Sequence, residues 1–63
     1  MSDVHVDSET VDGEAAFARV SREDGDVRLV VSIVSDGDYD VLLRPATARE
    51  LARALTEAAE EVG

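Results

Sequence analysis

Between residues 26 and 44 apolar and polar positions alternate. Val27, Leu29, Val31 and Ile33 share one parity, and Tyr39, Val41 and Leu43 form a matching set in the next segment. Such a period of two is the signature of a half-buried strand. The alternating segments are cut by Asp12-Gly13, Asp24-Gly25 and Asp36-Gly37, which recur every 12 residues. Asp-Gly between alternating apolar runs is a strong hairpin signal, because glycine accepts positive φ and aspartate favours the turn. The pattern predicts four strands in an up-and-down meander, near 4–10, 15–23, 26–35 and 38–44.

Register follows from what one face must bury. A two-residue Asp36-Gly37 loop would put Ile33 on the same face as Asp38 and Asp40. A three-residue loop, Ser35-Asp36-Gly37, instead sets Ile33 opposite Tyr39, Val31 opposite Val41 and Leu29 opposite Leu43, with Val27 extending an apolar face. The second solution is expected. For the Asp24-Gly25 hairpin two registers stay open, one turning Phe17 to the core and the other Ala16, Ala18 and Val20.

After Pro45 the period changes. Ala48, Leu51, Ala52, Leu55, Ala58, Ala59 and Val62 recur at helical spacing, while Arg49, Arg53, Glu57, Glu60 and Glu61 take the remaining positions. Thr47 with Glu50 three residues later reads as a capping box, so the helix is expected near 47–62. The fold class is therefore α+β: a four-stranded antiparallel meander with one C-terminal helix packed on one sheet face, in a single small domain spanning 1–63. The face opposite the helix is expected to carry Val30, Val34 and Leu42 beside Arg28 and Arg44. Both strand-two registers add apolar groups there, which makes that face the expected contact surface.

Composition explains why a contact is needed. The 63 residues include 15 acids and 6 bases, a formal net charge of −9, and every base is arginine. Valine and alanine supply most of the apolar fraction. A chain this short buries only about 60 % of its unfolded surface, and small side chains barely offset the ordering entropy. Without cysteine there is neither a disulfide nor a thiolate metal site. Self-association is the remaining route, and a homodimer is expected.

The charge excludes further classes. Direct nucleic-acid binding needs clustered cations, and an anionic membrane would repel the chain. No run approaches a membrane span, and the N-terminal stretch lacks the charged end and apolar centre of a secretion signal; a cytoplasmic protein is expected. The lysine-free acidity resembles proteins adapted to concentrated salt, and codon bias in a GC-rich genome produces the same balance.

Candidate chemistry is sparse. Asp36, Asp38 and Asp40 imitate the start of a calcium loop, but Val41 and Thr47 stand where glycine and a bidentate glutamate are required. His5 is the single histidine, short of a zinc ligand set, and reads as an exposed strand position. No serine lies in a nucleophile elbow, and each glycine is isolated in its own turn rather than in a phosphate loop. No catalytic residue, cofactor or metal is expected. The expected function is a small acidic, non-catalytic interaction or adaptor module. One alternative is an acidic decoy that imitates nucleic acid toward a basic protein; another is a ligand-binding or enzymatic site formed between subunits.

Fifteen carboxylates on so short a chain repel one another in the compact state. Thermal melts from low salt to about 1 M, where screening acts within about 3 Å, are expected to show a rising Tm.

Overall fold

A computed structural model describes residues 3–63; Met1 and Ser2, part of the N-terminal stretch read above, lie outside them. The elements are β1 (Val4–Glu9), β2 (Ala15–Glu23), β3 (Asp26–Ile33), β4 (Gly37–Leu43) and α1 (Pro45–Val62). The strands form one antiparallel sheet in the order β1-β2-β3-β4. This is the expected ββββα architecture. The strands are shorter than expected at three ends: β1 stops at Glu9, β3 at Ile33 and β4 at Leu43.

All three Asp-Gly steps are turns, and all three turn glycines have positive φ. At the β2–β3 turn Glu23 pairs with Asp26, leaving a two-residue loop. Asp24 (φ 51°) and Gly25 (φ 88°) are both left-handed there, as a type I′ turn requires. The first turn is longer, with five residues between the Glu9–Ala15 pair. Gly13 N donates to Thr10 O (2.9 Å) and Thr10 N to Glu14 O (2.8 Å), while Glu14 N donates to the Thr10 hydroxyl at 3.1 Å.

The β3–β4 turn differs from expectation. Asp36 N donates to Ile33 O at 3.0 Å, which closes the turn directly on Ile33 and brings Gly37 into the ladder opposite it. Tyr39 therefore faces Val31, Val41 faces Leu29 and Leu43 faces Val27. The pairing is displaced by two residues from the expected one. A displacement of two preserves the side-chain alternation, so every residue stays on its assigned face. Glu14 joins this turn to the first: its carboxylate accepts from Ser35 N at 2.8 Å.

The β2 register is settled as well. Ala16, Ala18 and Val20 pair with Ile33, Val31 and Leu29, so the alanine set joins the helix-side face and Phe17 goes to the other. Val4 and Val6 extend the helix-side face through their pairing with Val20 and Ala18.

The helix begins two residues before the expected Thr47. Arg44 is its N-cap in an extended conformation (φ −65°, ψ 153°), with Pro45 in the first turn and no side-chain cap. Proline suits that position because its fixed φ is already helical and it has no N–H to satisfy. With Pro45 starting the helix, Thr47 falls inside the first turn and the Thr47–Glu50 box does not form. Gly63 ends the helix by donating its N–H to Ala59 O at 2.9 Å.

Gly25 has open space where a Cβ would stand, so its substitution tests backbone conformation alone. Gly25→Ala is expected to cost about 1–2 kcal/mol, the penalty for an L-residue in the left-handed region, read as a lower urea midpoint.

Candidate interaction surface

The sheet has two unlike faces. The helix side carries Val4 and Val6 from β1, the alanines and Val20 from β2, alternate residues from Val27 to Ile33 of β3, and Tyr39, Val41 and Leu43 of β4. Arg22, opposite Val27, is the one charged group in that ladder.

The helix does not cover this face. Its first half stands over one end of the sheet and leaves an open groove of about 410 Å³. Val20, Val27, Leu29 and Leu43 form the floor, and Ala48, Leu51, Ala52 and Leu55 form the wall. The only charged group on the groove is Arg49. Beyond it the face is bare: Val4 is 57 % exposed, Val6 54 %, Tyr39 55 % and Val41 48 %. Leu55, central to the helical stripe, is 63 % exposed, and no side chain among the described residues is fully buried. The geometry explains the shortfall. Four strands about 4.8 Å apart span roughly 14 Å between outer axes, and a helix about 10 Å across cannot cover that width.

The opposite face is polar and internally paired. Arg28 Nε donates to both carboxylate oxygens of Asp40 at 3.0 and 3.1 Å, and its Nη1 lies 3.5 Å from Glu23 Oε1. The hydrogen bond from Arg28 holds the Asp40 carboxyl below the usual carboxylate range, and Asp40 and Glu23 together hold the guanidinium charged. His5 stacks on Phe17 with ring centroids 4.6 Å apart and lies 2.9 Å from Asp7 Oδ1 through Nε2. Arg19 sits 5.6 Å over the other ring system's centroid, that of Phe17.

The residues expected at the contact surface fall in different places. Val30 and Leu42 lie on the outer face, where their cross-strand neighbours are Asp40 and Arg28. Val34 is in the β3–β4 turn rather than on a strand, at the far end of the sheet. Arg44 leaves the sheet at the helix junction and approaches Asp26 Oδ2 at 3.4 Å. Three of the five are thus brought together, among charges already paired. What sequence reasoning missed is the bare half of the helix-side face, with Tyr39 and Val41 on it. The signal was present in strand count against helix width.

Among the described residues no group of three or more His, Asp or Glu side chains is placed to hold a metal ion, and no helix is long and apolar enough to cross a membrane. No family model, curated protein or solved structure matches the chain.

Because the folded Asp40 titrates below its unfolded value, the stability it contributes is complete above the unfolded pKa and is lost as pH falls through the folded one. Asp40→Asn removes that contribution. The Tm gap between wild type and variant is expected to be widest near neutrality and to close as the solution is acidified, as followed by circular dichroism at a series of pH values.

Proposed function

We propose that the protein is a small non-catalytic interaction module that works as a homodimer, joined through the sheet face that carries its helix. The observation behind this is surface area. The chain exposes 5080 Å², against about 3,900 Å² for a compact monomer of its mass. The excess of about 1,200 Å² is more than one partner's share, about 800 Å², of a standard stable interface. The radius of gyration agrees: 12.7 Å against about 10.6 Å for a compact 63-residue domain. The bare apolar face contributes to that excess through Val4, Val6, Tyr39 and Val41, and a second copy supplies the same apolar chemistry through a self-complementary two-fold contact.

This choice replaces the sheet face expected to associate. Burying Val30 and Leu42 there would also desolvate the Arg28–Asp40–Glu23 cluster, which is costly for charges already satisfied in water. A contact through the back of the helix is disfavoured for the same reason, since Arg53, Glu57, Glu60 and Glu61 lie on that side. The reading places the protein in the cytoplasm, where absence of disulfides is the rule. The acidic-decoy reading ranks second: Asp38, Asp40 and Glu23 share the outer face, but Arg28 pairs with two of them and offsets one charge.

Light scattering at micromolar concentration is expected to give twice the chain mass. Val41→Asp, which sets a charge in the middle of the bare face, should shift the protein to monomer. Leu42→Asp, one residue on and on the opposite face, should leave the dimer intact. A wild-type monomer overturns the reading.

A further inference from the structure

The bare face has a projecting feature at one end and a receiving feature at the other. Tyr39 is the only large aromatic side chain on the face, and it stands near the β3–β4 turn. Its hydroxyl donates to Asp36 Oδ2 at 3.1 Å, so ring and carboxylate form one unit, apolar along its body and anionic at its tip. That hydrogen bond, with the charge of Asp36, raises the Tyr39 pKa and keeps the phenol protonated. The groove lies at the other end, four residues along β4 at Leu43, about 13 Å away.

Groove and projection match in three respects. The groove is apolar, and its volume of about 410 Å³ accommodates a tyrosine ring. Its one charged group, Arg49, has no carboxylate within ion-pair distance among the described residues, whereas Arg28 and Arg44 are both paired. The helix start beside it has no side-chain cap and no acid in its first turn, so the positive end of the helix dipole is uncompensated within the chain. An anion delivered there answers both.

We propose that the two chains interlock reciprocally: Tyr39 of each enters the groove of the other, and Asp36 pairs with the partner's Arg49 over the partner's helix N-terminus. A two-fold axis crossing the strands near Val41 and Leu29 produces this arrangement. It exchanges the turn end of one sheet for the helix-junction end of its mate and seats Val41 near its own symmetry copy. This interlock rests on the dimer reading above and specifies its register.

Charge exchange tests it, with sedimentation equilibrium reading the dimer Kd and circular dichroism the fold. Asp36→Arg and Arg49→Asp are each expected to weaken the dimer at least about tenfold, as like charges come to face each other. The double variant should recover to within about threefold of wild type, since it restores the pair with its polarity reversed. Tyr39→Ala is expected to weaken it about thirtyfold, on the scale of an aromatic anchor, and Tyr39→Phe to change it little. Arg53→Asp alters net charge as much as Arg49→Asp but lies off the groove, and it should have no comparable effect. Single variants that dimerise normally, a double variant that is folded but not restored, or an Arg53→Asp effect equal to that of Arg49→Asp overturns the interlock while the dimer stands. A monomeric wild type removes both proposals.

Discussion

The structure depends on a mismatch of widths. A meander of four strands presents one continuous apolar face, and the chain supplies a single helix to shelter it. Because the helix follows β4 through Arg44 alone, it must start at the Leu43 end of the sheet. The groove, the exposed Tyr39 and Val41 and the excess surface all follow from that arrangement.

The two sheet faces divide the work. On the outer face, Arg28 holds Asp40 and Glu23, and Phe17 meets both His5 and Arg19, so charge and aromatic area are accounted for locally. On the inner face the charged groups beside the apolar contact are Arg22, at the end of β2, and Arg49 on the helix. Electrostatic compensation on one side and unmet burial on the other give the sheet a direction.

Much of this was legible in the sequence because hairpins are local. The three Asp-Gly steps mark all the turns, and the parity of Val27 to Ile33 and of Tyr39 to Leu43 assigns their faces correctly. Pairing partners at the β3–β4 turn were not legible. Two loop lengths that differ by two in register bury the same side chains, so the apolar pattern could not choose between them; the Asp36 N–Ile33 O hydrogen bond does. At the helix start the proline outweighed the capping box. Thr47 and Glu50 have the right spacing, but Pro45 sets helical φ two residues earlier. The exposure of Tyr39 and Val41 on the helix side was not legible for a tertiary reason: stripe and face were each read as apolar and taken to cover one another, and their relative dimensions were left out.

The strand-to-helix junction also makes the helix a lever. It is 18 residues long, about 27 Å, and it joins the sheet through the backbone of Arg44, with its sheet contacts concentrated on β3. A rotation of about 10° at that junction carries Val62 nearly 5 Å over such an arm. A spectroscopic label near its C-terminal end would therefore register any change in the helix angle as a change in orientation rather than in content of secondary structure.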